Sequence, residues 1–388
     1  MILTSDYSTF HSLPPLPLRL LPSFIKGRKY PPYGLRKVEA IIVESRIVPP
    51  EKLNDNLVCK EKLIGIYVND PFGLTEVSKG LVSIFHEELN YSYYFRKFSR
   101  IVKRFKEKCN IKVLAGGPGA WEVVNEDWID HVIIGEAEIT LPKVLNENST
   151  SKIIQGTESD RFYPIKGPSA MAEVEVMRKD RKIPISVIKE ELKIQSIHGY
   201  VNLISNDLLA YGDEKDVLNL LELSSHYGKV YFSQISVISA MAFNLSKIRE
   251  VLGLNENNWR SPVLSSKAGS CILKIESEVI KELNKNFIYP TIFTDIENFR
   301  ELDKYKAIII PLLSKENSED VYSILYNIWL HNKKVTKIPF SRVVDYILYK
   351  NKETKGEYLN KLKLRGKLGT LYLVSLLIRS YFSRYPNY

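Results

Sequence analysis

Apolar residues fall along this chain in two alternating periods. Short runs of branched apolar residues, each leading into Gly, Asn or Asp, read as buried strands at Leu63–Val68, Ile111–Ala115 and His131–Ile134. Between them, apolar positions recur three and four apart, the spacing of a helix that buries one face. Residues 31–46 place Leu35, Val38, Ile41 and Ile42 on such a face. Glu76–Leu89 reads as a second helix. Arg96–Cys109 is a third, basic, with Phe98, Ile101, Val102 and Phe105 on one side. Tyr91–Phe95 reads as irregular, Leu141–Asn146 as helical, and the proline-broken residues 1–30 as a wrap around this domain. Strand alternating with helix predicts a parallel sheet covered on both faces.

The polar run Asn146–Ser151 is the best linker, which sets a first domain at 1–148. Alternation then resumes. Strands are predicted near 172–177, 200–205, 229–235, 262–265, 288–293 and 307–311, and helices near 185–194, 213–226, 245–252, 275–285, 295–303 and 317–331. Six strand–helix pairs predict a partial (β/α) barrel over residues 160–330, followed by a basic helical extension over 331–388.

Composition narrows the class. The chain has 388 residues, 44% of them hydrophobic, which is ordinary for a globular protein of two domains. No run of about twenty apolar residues exists, so no transmembrane helix is expected. Asp6 and Pro14, Pro15, Pro17 and Pro22 interrupt any signal-peptide core. Cys59, Cys109 and Cys271 are spaced for neither a metal cluster nor a disulfide framework, which points to unpaired thiols in a reducing cytoplasm. Abundant Lys, Glu, Ile and Tyr with only three Gln suggests a thermophile. Of the 55 basic residues, 13 lie in His331–Tyr388 against three acids, Asp345, Glu353 and Glu357. The net charge of +10 therefore resides entirely in that tail, a docking surface for an acidic partner or for RNA, or the solvated face of a packed helix.

Candidate chemistry gathers at the strand ends. Asn69-Asp70-Pro71-Phe72-Gly73, Gly116-Gly117-Pro118-Gly119 and Gly135-Glu136 each follow a predicted strand. In a parallel sheet ligands lie across these ends, and glycine lets the backbone approach them closely. On residues alone this is a nucleotide-like or cofactor-binding domain. The competing reading is a set of structural turns, with Glu136 capping the next helix. Asp207 ends a barrel strand, where barrels keep their chemistry, or else caps a helix. Glu173 and Glu175 alternate with apolar residues and form either an inward carboxylate pair or outer-face charges. His86, His131, His198 and His226 lack metal-ligand spacing.

The wording of Val113–Leu145, with GGPGAW and then DHVIIGEAE, resembles the cobalamin-binding domain that precedes the barrel in one branch of the radical SAM enzymes. Pro32–Ala40, Asn69–Leu74, Phe95-Arg96-Lys97 and Gly167-Pro168-Ser169 match in order over roughly residues 1–275. The resemblance implies a Rossmann-like (flavodoxin-like) domain that binds cobalamin through residues 69–73, 116–119, 135 and 136. It also implies a CxxxCxxC loop holding a 4Fe–4S cluster after the first barrel strand. Here that strand, Ala172–Arg178, runs straight into Lys179–Lys182 with no cysteine, and Lys267-Ala268-Gly269-Ser270 stands where the family has Glu-Thr-Gly-Ser. The Asp70-Pro71-Phe72-Gly73 loop holds no histidine, which is typical of the branch that the chain resembles and is no departure from it. The resemblance thus implies a pseudoenzyme without a cluster and with no catalytic or metal residues. Cobalamin is retained or lost with even weight, and the expected partner is an active paralogue or a larger assembly. A cluster-free cobalamin methyltransferase is the alternative.

Overall fold

The computed structural model describes residues 1–12, 29–85, 88–146, 150–266, 277–313 and 321–336. In chain order the elements are β1 (Ile2–Ser5), α1 (Tyr7–Phe10), α2 (Tyr33–Ile41), β2 (Arg46–Ile47), α3 (Asp55–Val58), β3 (Leu63–Tyr67), α4 (Glu76–Phe85), α5 (Asn90–Cys109), β4 (Lys112–Gly116), β5 (His131–Ile134), α6 (Thr140–Asn146) and β6 (Ile153–Gln155). There follow β7 (Glu173–Glu175), β8 (Met177–Arg178), β9 (Arg181–Lys182), α7 (Ile185–Gln195), β10 (Tyr200–Ile204), α8 (Glu214–Ser225), β11 (Lys229–Phe232), β12 (Gln234–Ser236), α9 (Val237–Ala242), α10 (Leu245–Leu252), β13 (Val263–Ser265), α11 (Ser277–Lys285), β14 (Thr291–Asp295), α12 (Phe299–Leu302), β15 (Ile308–Leu312) and α13 (Val321–Thr336). The chain divides into two compact units. One is Met1–Ser78, Glu87–Val174 and Ile183–Gly199; the other is Lys79–His86, Glu175–Lys182 and Tyr200–Tyr388.

The first unit holds a six-stranded sheet in the order β2-β1-β3-β4-β5-β6, with every pair parallel. Residues 1–30 are not merely a wrap: Ile2–Ser5 is fully buried and lies between β2 and β3. The prolines that suggest a wrap begin at Pro14, beyond that strand. The sheet also extends past residue 148, because β6 pairs with β5. Tyr91–Phe95 is helical: α5 starts at Asn90 and runs for 20 residues. Its Phe95, Phe98, Val102 and Phe105 bury against a core that includes Ile64, Ile66, Val113 and Trp128. Each such side chain contributes roughly 1.5–3 kcal/mol.

The second unit carries parallel strands in sequential order. β10 pairs with β11, and β12, β13, β14 and β15 follow one another. Ser233 joins the two sets: its N–H donates to Leu203 O, and its own carbonyl accepts from Val263 N–H. Buried and half-buried positions alternate along β10 and β11. The stretch after β7 is not a direct run into helix. Met177–Arg178 and Arg181–Lys182 pair antiparallel about Lys179, whose φ is 54°. α7, expected in the barrel, belongs to the first unit. Among the described residues no helix is long and apolar enough to cross a membrane.

Candidate functional site

In the first unit the chain leaves β1 for β2 on one side of the sheet, while β3 lies on the other. That reversal is where a parallel sheet opens a crevice at its strand ends. Asp6 follows β1. It is buried and caps α1 by accepting from Ser8 N–H (2.9 Å) and Thr9 N–H (3.1 Å). Burial pushes its pKa up to about 6. Asp70, in the loop after β3, accepts from Thr75 N–H (3.4 Å), the Thr75 hydroxyl (3.1 Å) and the Ser78 hydroxyl. On α5, burial with Asp6 and Asp70 nearby pushes the Tyr91 phenol up to about 12.

Glu122 completes this group, and nothing in the predicted pattern marks it. It sits just after β4 and is 7% exposed. Its Oε2 accepts from Phe72 N–H at 2.7 Å. Its Oε1 has no donor among the described residues. Burial first, and the shared contact with Asp70 second, push Glu122 up to about 7. One proton between two facing acids makes that contact favourable. A backbone donor that would meet an incoming acceptor at this loop is thus held by the protein's own carboxyl.

The glycines are explained by neighbouring loops. Gly117 has φ 111°, and a Cβ there would fall 2.5 Å from Val68 O. A Cβ at Gly119 would fall 2.4 Å from Asn69 O and 2.6 Å from the Pro71 ring. Gly73, at φ 68°, closes a turn through its N–H to Asp70 O (3.3 Å). Gly116 differs, since a Cβ there would meet only Ile133 O at 3.9 Å. The structure therefore brings Asn69, Asp70, Pro71, Phe72 and Gly73 against Gly117 and Gly119, with Pro118 exposed at the tip. Gly135 instead packs on Gly156, and Glu136 accepts from Ser159 N–H (3.1 Å). Phe72 (40%), Leu74 (37%) and Trp121 (46%) remain exposed on these two loops.

The segment 32–40 has a structural role. The Tyr33 hydroxyl donates to Glu191 at 2.6 Å, and Lys37 Nζ reaches both Glu191 (3.1 Å) and Tyr163 O (2.7 Å). Arg36 Nε donates to Pro168 O at 3.1 Å. α2 thereby pins residues 163–168 to itself and to α7. Burial raises the Glu191 pKa despite the opposing pull of Lys37.

In the second unit Asp207 is 1% exposed at the end of β10. It stands at the start of a short 3-10 turn but makes no side-chain cap there. Its Oδ2 accepts from the Ser239 hydroxyl at 2.6 Å, and Ser236 donates in turn to Ser239 at 3.1 Å. Asp207 Oδ1 and the Ser205 hydroxyl are buried without a partner among the described residues. Ser233 bonds both the N–H and the carbonyl of Ser205, and Gln234 donates to Ser265 at 3.2 Å. A hydroxyl-rich surface with one uncommitted carboxylate oxygen thus lies at this end of the strands.

Glu173 and Glu175, readable as an inward pair or as outer-face charges, each bond to neighbours close in sequence. Glu173 accepts from Ser169 and from Met171 N–H (2.9 Å), in a turn braced by Gln195. Glu175 is gripped by Arg178 through two bonds of 2.7 and 2.6 Å. Lys182 reaches Asp216 at 2.9 Å and lies over the Tyr211 ring. His131 bonds Ser151 O at 2.8 Å, which is a packing role. Among the described residues no group of acids, histidines and cysteines is arranged to hold a metal.

The cysteine expectation needs correction. Cys59 and Cys109 form a disulfide across 50 residues, with Cα atoms 4.7 Å apart. α3 ends beside the C-terminus of α5, and no spacing rule shows that proximity in sequence. The cysteine argument for a reducing compartment falls with this pair. Cys271, the 267–270 string, His86 and the tail beyond Thr336 lie outside the described residues.

No family model matches the chain, and no curated protein matches it. Its fold is similar to solved structures of the radical S-adenosylmethionine methyltransferase TsrM from Kitasatospora setae. With cobalamin and a 4Fe–4S cluster bound, that protein aligns over 77% of this chain and 71% of its own, at 9% identity and a TM-score of 0.48. With tryptophan substrate and a SAM analog bound, it aligns over 77% and 69%, at 8% identity and a TM-score of 0.47.

Proposed function

We propose that this protein acts by binding, as a regulatory or assembly subunit, and does not run radical chemistry on a 4Fe–4S cluster. One observation carries the reading. The chain has three cysteines, and two of them are spent on each other in the first unit. A site-differentiated cluster draws on three thiolates, and a lone remaining thiol does not supply them. Where the resemblance calls for a cysteine loop, β8 and β9 form a hairpin with Arg178 gripping Glu175. The partner is a protein, an active paralogue or a larger assembly.

Cobalamin fits these strand ends poorly. Glu122 takes the Phe72 N–H, and Val68 O takes the Gly119 N–H. The exposed Phe72, Leu74 and Trp121 and the uncrowded Gly116 favour a second reading, a cluster-free methyl-transfer enzyme that holds a flat cofactor over that rim. The first reading is tested by anaerobic reconstitution with iron and sulfide, followed by an assay for reductive cleavage of S-adenosylmethionine. No cleavage is expected. Cleavage at enzyme-like rates, with iron at cluster stoichiometry, would overturn it.

A further inference from the structure

α5 carries Arg96, Lys97, Arg100, Lys103, Arg104, Lys106 and Lys108 against one acid, Glu107. Its apolar side is buried through Phe95, Phe98, Val102 and Phe105. The outer side exposes Arg96, Lys97, Arg100, Lys103, Arg104 and Lys108 in a stripe along a helix of about 30 Å. Some of these cations are answered. Arg96 pairs with Glu88 at 2.5 Å, Lys108 with Asp55 at 2.6 Å, and Arg104 reaches the same Asp55 at 3.8 Å. Lys106 pairs with Asp130. Lys97, Arg100 and Lys103 have no acidic partner among the described residues. They follow one another at three-residue steps through the middle of the stripe.

At the first turn of α5 the chemistry changes to aromatic. The Tyr94 ring lies 5.1 Å from Tyr93 and 5.2 Å from Tyr7, and Tyr7 lies 4.5 Å from His11. All four side chains are partly exposed. We propose that this face of α5 binds single-stranded nucleic acid, with Lys97, Arg100 and Lys103 tracking the phosphates and the Tyr7–Tyr94 cluster stacking a base. Charge complementarity selects the partner: a linear row of uncompensated cations matches a linear polyanion. A basic groove that leads to aromatic rings is how sequence-tolerant single-strand binders are built. A lipid surface fits less well, because no large apolar side chain is exposed on this helix to enter the bilayer. The proposal goes beyond the subunit role above and does not rest on it. The surface also lies apart in sequence from the basic tail.

The test is fluorescence anisotropy on the full-length chain with a labelled oligouridylate of about 20 nucleotides, long enough to span one such site, over a salt series. Reversing Lys97, Arg100 and Lys103 to Glu should weaken binding at least tenfold, and should lower the slope of log affinity against log salt by about 2. Reversing the exposed Lys143, Lys189 and Lys193 removes the same charge elsewhere and should leave affinity within about twofold, since affinity follows local phosphate contacts. In the unaltered protein, bound RNA should shield Lys97 and Lys103 from amine acetylation, which needs no variant to fold. Unchanged binding by the α5 variant, equal loss in the control, or acetylation unaffected by RNA would each overturn the proposal. So would anionic vesicles that compete for the same residues as well as RNA does.

Discussion

In the loops after β3 and β4 of the first unit, the buried acids take up neighbouring hydroxyls and N–H groups, and Glu122 Oε1 alone of their oxygens is buried without a donor among the described residues. Asp70 accepts from Thr75 and Ser78, and Glu122 holds the Phe72 N–H. At the strand ends of the second unit, Asp207 Oδ1 and the Ser205 hydroxyl are buried with no partner among the described residues. The contrast runs against the sequence. The first unit bears the strings that resemble a cofactor domain, yet the Phe72, Gly73 and Thr75 N–H groups of its β3 loop are committed to its own acceptors. The second unit lacks the cysteine loop, yet it leaves polar atoms uncommitted. Rare strings of glycine and proline thus report how neighbouring loops fit together at least as much as what they bind.

The largest expected effect separates the two units. The Cys59–Cys109 bond closes a 50-residue loop in the first unit alone, worth about 4 kcal/mol by loop-closure entropy. Cys59→Ser, or reductant, should lower the denaturant midpoint of the first unit's transition and leave the second's in place. A common shift of both would show that the units unfold together. Next come the glycines. Gly119→Ala drives a Cβ into Asn69 O and should cost about 3 kcal/mol or more. Gly116→Ala meets open space and should cost under about 1 kcal/mol. Equal losses at the two positions would remove the packing explanation.

The acids of the crevice give a smaller, pH-dependent effect. Glu122 is raised from 4.5 to about 7, and Asp6 from 3.8 to about 6. In the interval above the ordinary carboxylate range the folded state binds more protons than the unfolded one. Stability of the first unit should therefore fall as pH rises from about 4 toward 7. Glu122→Gln should flatten that fall, read as melting temperature against pH. A rise in stability over the window would contradict the shared proton. Smallest of all, Ser205→Ala should be neutral or stabilising by about 0.5–1 kcal/mol, because it removes an unanswered hydroxyl. A loss above about 2 kcal/mol would mean that Ser205 has a partner in the fold.

Much of this architecture is legible in the sequence for physical reasons. Branched apolar runs locate β3, β4, β5 and the parallel strands of the second unit within a few residues, and three-four spacing locates α2, α5, α8 and α10. The misses share one cause, contact between distant segments. β1 is only four residues long and becomes central through pairing with β2 and β3. Glu122 reads as an ordinary acid after Trp121 until the 70–74 loop folds over it. Asp207 looks like a helix cap and instead receives Ser239 from 32 residues away. The cysteine pair is equally non-local.

The most direct test of the central claim is metal content with a visible spectrum. The full-length protein is incubated anaerobically with hydroxocobalamin, and separately with iron and sulfide, and then desalted. The account predicts a colourless protein with neither cobalt nor iron near stoichiometry, because the thiols are spent and the loop donors are internally bonded. Stoichiometric cobalt with a bound-corrinoid spectrum would show that the first unit still holds its cofactor. Stoichiometric iron with a cluster absorbance would contradict the account at its root.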